Sequence, residues 1–562
     1  MVKPMRVTPE MIDTYIADGR WDTVSIPDIL GRHVGKTPQR EALVDSRRRL
    51  SWSQLDQITD RAAVTFLRLG LIKDQVVVAQ LPTSSALIIL LLACQKAGLI
   101  CCFAPMTFRR KELAHILKTL CAAVVVTVNL WRNTNFHSIV QEASADLNHL
   151  KFHFVAGDPV PEGALSFNDL IKIPLGSEAK GDVLRGWTFD PFEVSMVVLS
   201  SGTTGMPKCI EHTGASSKAG GRGIVKRAKL GPEDVIGCIA PLSGGPGLQN
   251  WWAGFQVGAR FVLLERFTPQ GVLELIEREK VTYLPAIPTQ LARILKETDT
   301  DRYDLRSLRI VRTGAAAFDP VLAAETEKKL GCKVLIAGGA QETYSFAQSG
   351  VDDPREKRLS TLGKPFPGNE VKICNDHGGR VPQGEVGHLY VRGASTSSGY
   401  YGDMASTLAA WGKVGLEGWY KTGDLAKLDE DGYLVLAGRV KEVIIRGGQN
   451  IYPKEIEDIL NGHSKIRQAI LIGIPDPVMG EKACACVNLV NDEELTFEEM
   501  TAFLRDKGLA VHKLPERLEI LEHFPNLADG QKVDKISLRR MIEEPRGENR
   551  FQRRRHVTEG KA

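Results

Sequence analysis

Ser200-Ser201-Gly202-Thr203-Thr204-Gly205-Met206-Pro207-Lys208 packs two glycines, four hydroxyl side chains and a lysine into nine positions. It directly follows the apolar run Val197-Val198-Leu199, which reads as the end of a strand. A glycine-rich turn lets backbone N–H groups converge on one point, and hydroxyls and an ammonium add donors and charge. The guest that suits such a turn is a polyphosphate. The spacing is not that of a Walker loop, which needs G-x-x-x-x-G-K-[ST] opening a helix. Here Met-Pro-Lys follows Gly205, and Pro207 neither donates an N–H nor extends a ladder.

On either side of this turn the sequence alternates helix and strand patterns. Leu55, Ile58, Ala62, Phe66 and Leu69 recur at helical spacing, and Gly70 supplies a stop. Apolar runs at 76–78, 122–128, 236–240, 260–264, 283–287 and 334–336 read as buried strands, which predicts α/β layers with mainly parallel sheets. Past residue 370 the texture turns strand-rich and Gly-rich, with runs at 371–374, 388–391 and 433–436. The last part reads as a small α+β unit. It has a helix over 453–460, strands over 469–474 and 483–489, and a Thr496-x-x-Glu499 capping box. Phe497, Met500, Phe503 and Leu504 share one helical face, and 536–542 closes the unit.

Composition narrows the classes. A chain of 562 residues needs more than one core. Apolar content of 43% and charged content of 25% are those of a globular protein in water. The net charge is only +4, with no basic block in the body of the chain, so no nucleic-acid partner is expected. Arg553-Arg554-Arg555 belong to a polar tail, 546–562, that reads as disordered. Ten cysteines are scattered. Cys94, Cys101, Cys102, Cys121, Cys238 and Cys332 read as small buried hydrophobes, and Cys484-Ala-Cys486 lacks the spacing of a zinc site. With no signal peptide visible, a reducing cytoplasm fits best. The apolar run 86–94 is too short to span a bilayer and reads as a buried helix.

S-G-T-T-G-x-P-K resembles the signature of the adenylate-forming superfamily, which includes acyl-CoA synthetases, stand-alone adenylation enzymes and luciferases. Motifs run in that family's order from Leu50-Ser51-Trp52-Ser53-Gln54-Leu55 to Arg539. The resemblance implies a large N-terminal domain, 1–440, of layered α/β subdomains plus a strand-rich subdomain, and a small mobile α+β domain, 441–545. It implies ATP contacts from Ser200, Ser201, Gly202, Thr203, Thr204, Gly205 and Lys208. Gly314, Ala315 and Ala316 match the small-residue turn that borders adenine.

Gly338-Gly339-Ala340-Gln341-Glu342-Thr343 stands in the place of Y-G-x-T-E, so Glu342 would hold Mg²⁺, a hard cation suited to carboxylate and phosphate oxygens. Gly338 replaces the aromatic that packs on adenine, and Gln341 replaces the threonine. In Trp419-Tyr420-Lys421-Thr422-Gly423-Asp424, Asp424 reads as a loop carboxylate for the ribose diol. Arg439 matches the arginine that reaches the same ribose, and Lys441 the hinge. Gly447 and Gly448 open Gly-Gly-Gln-Asn-Ile, the form of the loop that lines the pantetheine channel in CoA ligases. Lys532 matches the lysine that bridges acid and phosphate, although Gln531 stands where glycine is usual; Lys535 is the fallback. His212-Thr213 inverts the usual pair, and Cys209 follows Lys208 where glycine is common.

Gly244 and Gly245 open room for the acid, and Trp251 and Trp252 are expected as its apolar walls. No arginine or lysine that would pair a second carboxylate is evident from the sequence. The implied function is activation of a hydrophobic acid (aromatic, alicyclic or otherwise bulky) through an acyl-adenylate, followed by thioester formation with CoA. Three alternatives stay open. One is a stand-alone enzyme that loads a carrier protein, another an enzyme that thioesterifies a ready-made acyl-adenylate, and the third a protein that only binds acyl nucleotide. The implied partners are ATP, a small carboxylic acid and CoA, with a homodimer as one assembly.

Overall fold

A computed structural model of the chain describes residues 4–174, 183–184, 186–200, 206–314, 320–447, 449–490, 493–525 and 533–543. Two layered α/β sheets form its bulk. In the eight-stranded sheet, Val76–Gln80, Ile100–Phe103, Val124–Thr127 and Val194–Leu199 run parallel at the centre. The nine-stranded sheet has Val235–Cys238, Arg260–Leu263, Tyr283–Pro285, Ile310–Gly314 and Lys333–Ala340 as its parallel body. Both are buried on two faces, which is why their strands read as continuous apolar runs. One large apolar cluster joins residues of both sheets with the helices between them.

Local signals place these elements. Ser51 caps the helix Trp52–Arg68 in a reciprocal box with Gln54. The helix Ser85–Ala97 contains the apolar run expected to be buried, and it is buried on all sides before ending at a left-handed Gly98. Nine of the ten cysteines are buried; Cys121, which the sequence places among apolar neighbours, is exposed because it stands in a tight turn at φ 45°.

A third, antiparallel sheet follows, in the order Asn369–Cys374, Gly387–Gly393, Tyr420–Leu428, Leu434–Arg439. After the short turn Val440–Glu442 comes a five-stranded sheet that includes Ile466–Asp476 and Gly480–Leu489 and has its own apolar clusters. The Thr496 hydroxyl accepts from Glu499 N at 3.1 Å. Met500 and Leu504 are buried on the inner face of that helix, whereas Phe503 lies half-exposed against His463.

The N-terminal segment is tied into this framework. Arg6 is buried, donates from Nη1 to Ser397 O at 2.8 Å and lies over the Trp411 ring, and its own N–H donates to Ser398 O. Among the described residues no helix is long and apolar enough to cross a membrane.

Leu91 is fully buried in the helix Ser85–Ala97. Leu91→Ala is expected to cost about 3 kcal/mol, through lost burial plus the cavity left behind. Urea denaturation checks this; a change near zero would mean that the helix is not part of the cooperative core.

Candidate functional site

In open α/β sheets ligands collect beyond the carboxyl ends of the strands. Two of the quoted motifs start there: 200–208 follows Val194–Leu199, and 314–316 begins on the last residue of Ile310–Gly314. The first is the connection of a β-hairpin, because Leu199 faces Cys209 in antiparallel register. Its ends are pinned twice: Ser200 N donates to Lys208 O at 3.0 Å, and Lys208 N donates to Ser200 Oγ at 2.9 Å. Ser201, Gly202, Thr203, Thr204, Gly205, Ala315, Ala316, Gly448, Lys532 and the tail 546–562 lie outside the described residues.

Lys208 Nζ lies 4.5 Å from the centre of the Tyr400 ring, a cation–π contact. The Tyr400 hydroxyl donates to Glu342 Oε1 at 3.0 Å, and Tyr420 hydrogen-bonds the same carboxylate. Burial together with the neighbouring Glu342 charge raises both phenols above their ordinary value, so they stay protonated donors. Lys208 and Glu342, far apart in sequence, are thus joined through one tyrosine. Glu342 is nearly buried. Among the described residues no group of three or more His, Cys, Asp or Glu side chains could cage a metal. A single carboxylate suits Mg²⁺, which usually keeps waters and phosphate oxygens and takes only one or two protein ligands.

Glu342 belongs to the three-residue hairpin between Lys333–Ala340 and Tyr344–Gln348. Tyr344 closes it with φ 50°, a strained value for a bulky side chain. Its ring stacks on His212 at 4.0 Å. Burial pushes His212 down to about 4, so the ring is neutral; Nε2–H donates to Gln341 O at 2.8 Å and Nδ1 faces Ser216 Oγ. Gly338 leaves no void beside it. A Cβ there would stand 2.8 Å from Leu362 Cδ1 and 3.3 Å from the Phe346 ring, so these neighbours occupy the space.

Asp424 stands within the strand Tyr420–Leu428, not in the loop expected from the sequence. It is the direct cross-strand partner of Arg439, and Arg439 Nε meets Asp424 Oδ1 at 2.9 Å. Both side chains are partly exposed, so the pair adds little to stability; what it provides is alignment. Lys441 is exposed in the turn Val440–Glu442.

Gly447 has φ 54°, and a Cβ on it would meet Met479 Cε at 2.5 Å. The hairpin it opens, with Gln449 and Asn450, is exposed. Lys535 is engaged elsewhere than a fallback catalytic lysine should be: Nζ donates to Glu442 at 2.8 Å and to Glu457 at 3.0 Å. Burial works to lower this lysine, but Glu457 and Glu442 outweigh it and hold it above its ordinary value.

The expected acid region differs from its sequence reading. Gly244 caps the helix Gly245–Val257, and Gly245 is its first residue. Trp251 and Trp252 lie about 10 Å further along the helix axis and are buried in the apolar core; the Trp251 ring packs on Phe255 and Phe261. They line the core rather than an open pocket. What faces Gly245 is polar. A Cβ there would stand 3.0 Å from Gln249 Nε2 and 3.5 Å from Gln341 Oε1. A separate cleft of about 540 Å³ opens elsewhere on the surface, between Arg132, Arg266 and Arg293.

The sequence reading passed over Tyr400, Tyr420, Gln249 and Glu211. Tyr420 stands inside the quoted Trp419–Asp424 stretch, so its position was visible and its partner was not. Glu211, on the strand Cys209–Thr213, accepts from Met5 N at 2.6 Å. Burial pushes its carboxyl up to about 8, against the opposing pull of Met5 N–H and Arg6.

The profile of the family described as AMP-binding enzyme matches residues 30–401, and that of the AMP-binding enzyme C-terminal domain matches 455–531. The chain is 30% identical to a 2,3-dihydroxybenzoate-AMP ligase of Bacillus subtilis (strain 168), over 95% of this chain and 97% of that one. It is 30% identical to a 2-hydroxy-7-methoxy-5-methyl-1-naphthoate–CoA ligase of Streptomyces carzinostaticus, over 93% and 94%. The crystal structure of the anthranilate CoA ligase AuaEII in complex with anthranoyl-AMP superposes with a TM-score of 0.82 at 25% identity, covering 92% of this chain and 97% of that one.

Glu211 also sets a pH dependence. A carboxyl raised in the fold from 4.5 to about 8 stabilises fully below its unfolded value and loses that contribution as pH rises through the folded one. Thermal melts are therefore expected to fall between about pH 5 and pH 8, and Glu211→Gln to flatten that slope. The same slope in the variant would assign the effect to another group.

Proposed function

From the premise that the chain belongs to the AMP-binding, adenylate-forming enzymes, which activate carboxylic acids with ATP, we propose that it is an acid–CoA ligase acting on an aromatic, alicyclic or otherwise bulky acid. The observation that carries the ATP-dependent step is the convergence of Lys208 and Glu342 on Tyr400. It brings a cation from the glycine-rich turn and a carboxylate able to hold a cation to one place, as a triphosphate with Mg²⁺ requires. Likeness to two CoA ligases supports CoA as the acceptor. Likeness to an AMP ligase favours, as a second reading, an enzyme that stops at the adenylate or passes the acyl group to a carrier protein.

A carboxylate is a poor electrophile because its leaving group would be oxide. Attack of the acid oxygen on the α-phosphate, with loss of pyrophosphate, converts it to a mixed anhydride whose leaving group is AMP. In this reading the 200–208 turn binds the outer phosphates through backbone N–H groups, hydroxyls and Lys208. Glu342 would hold Mg²⁺, which supplies neutralising charge to the phosphates when bound. Asp424 accepts from the ribose hydroxyls, with Arg439 beside it. Gly314, Ala315, Ala316, Gly338, Gly339, Ala340 and Gln341 border the base and the acyl phosphate. Lys532 bridges the acid and the phosphate as charge develops. Catalysis of this kind is positioning and electrostatics.

The small domain, taken from residue 441 onward, then turns about Lys441, withdraws Lys532 and brings the Gly447–Gly448 hairpin to the pantetheine arm. The thiol attacks the acyl carbon and AMP leaves. The exposure of that hairpin is consistent with a pose outside thioester formation, and such turning gates turnover.

Two variants separate the half-reactions. Lys532→Ala is expected to lower acid-dependent exchange of pyrophosphate into ATP by at least about a hundredfold, while CoA-ester formation from supplied acyl-AMP is spared. Gly447→Val is expected to do the opposite, because the left-handed backbone and the contact with Met479 leave no place for a branched side chain. Equal loss of both steps in both variants would refute the division of labour. Pyrophosphate exchange together with carrier acylation and no CoA ester would favour the second reading.

A further inference from the structure

Arg312 is a buried charge without a countercharge. It stands in the strand Ile310–Gly314 and is 4% exposed. Nε donates to Gln348 Oε1 at 2.6 Å, and Nη2 donates to the Ser345 hydroxyl. The nearby Tyr283 hydroxyl is itself committed to Asn250 Oδ1 at 2.8 Å. Every one of these groups is neutral, and no carboxylate among the described residues pairs with the guanidinium. Burial holds Arg312 below the ordinary arginine value, yet a guanidinium in a protein stays protonated. Lys96, also buried, is by contrast paired directly with Asp56 and Asp60. An uncompensated buried charge is among the most expensive features a fold can keep.

The hydrogen bonds from Arg312 lead to the acid region. Ser345, which accepts from Arg312, donates to Gln249 Oε1. The other end of that amide, Nε2, points to the place beside Gly245 where a side chain would stand. Gln341 Oε1 reaches the same place and is buried with no hydrogen-bond partner. Two side-chain amides thus meet beside Gly245, and the Arg312 guanidinium stands behind one of them, linked to Gln249 through the Ser345 hydroxyl. Such a lining suits a polar group of the substrate, not a hydrocarbon.

We propose that the acid activated here carries a second oxygen group, a carboxylate or a ring hydroxyl, that the Gln249 and Gln341 amides bind it, and that Arg312, through Ser345, is the residue that positions Gln249 for it. The inference rests on the acid-activating reading above and adds the class of acid. The second oxygen meets the two amides, and the charge of Arg312, relayed by the Ser345 hydroxyl, fixes and polarises the Gln249 amide towards it. The Gln341 amide, whose oxygen has no partner, accepts from a hydroxyl or, turned over, donates to a carboxylate.

The test is acid-dependent pyrophosphate exchange with matched acids: benzoate, 2-hydroxybenzoate and benzene-1,2-dicarboxylate, then cyclohexanecarboxylate and its 2-hydroxy and 2-carboxy forms. In each set at least one oxygen-bearing acid is expected to exceed its parent in kcat/KM by at least about a hundredfold. Whether the hydroxy or the carboxy acid leads identifies the oxygen. Arg312→Met is expected to erase that advantage mainly through KM, to leave the parent acids unchanged, and to keep or raise Tm, since an unpaired buried charge is removed. Arg312→Lys should retain part of the preference.

A wild-type preference for the parent acids overturns the proposal, as does an Arg312→Met variant that loses all acids alike. If the variant does not fold, the wild type decides: in the presence of AMP, an oxygen-bearing acid should raise Tm more than its parent does, and equal shifts overturn the proposal. Exchange with no acid at all would remove the underlying reading as well, whereas exchange with parent acids alone removes only the role of Arg312.

Discussion

Charge concentrated at one point by a single tyrosine is the constraint around which the site is arranged. Lys208 lies over the Tyr400 ring, and the hydroxyl of the same residue holds Glu342. Lys208 precedes a strand of the eight-stranded sheet, Tyr400 ends its edge strand, Glu342 comes from a hairpin of the nine-stranded sheet, and Tyr420 comes from the antiparallel sheet. Three sheets must therefore dock in register before a cation and a carboxylate share a neighbour. The buried N-terminal arm supports the same place. Arg6 holds Ser397 O, and Ser397 N donates to Glu342 O at 2.7 Å. A segment remote in sequence is two hydrogen bonds from the backbone of the residue that carries the proposed metal carboxylate.

The turn at Val440–Glu442 divides these sheets from the last one, and its two sides are held differently. Glu442 is bound to Lys535 and, through it, to Glu457, so it belongs mechanically to the small unit. Lys441, one residue earlier, is exposed. Rotation about a residue needs one free position beside an anchored one, and this arrangement supplies both. Lys535 begins the closing helix three residues after Lys532, so the anchor also ties the proposed catalytic lysine to the rotating body.

The acid region shows how a polar interior is maintained beside an apolar core. Trp251 and Trp252 are absorbed by packing against Phe255 and its neighbours, while the start of the same helix faces Gln249 and Gln341. Low dielectric makes each unsatisfied group there costly and each satisfied one strong. A network that contains a lone guanidinium and an unpartnered amide oxygen is therefore a demanding receptor, and the chemistry of the guest follows from what is missing.

Much was determined by the sequence alone. Continuous apolar runs mark the strands, and Ser51 and Gln54 the start of a helix, because each depends on neighbours in the chain. The ordered motifs likewise located Glu342, Asp424, Arg439 and Gly447 as residues worth attention. What the tertiary structure decided depends on contacts between distant segments. Asp424 is on a strand facing Arg439, Lys535 is held by Glu442, the tryptophans are core, and Arg312 is buried among neutral partners. In linear order Arg312 is one more arginine at a strand end. Burial is a property of three-dimensional surroundings, and only burial turns an ordinary charge into one that demands a partner.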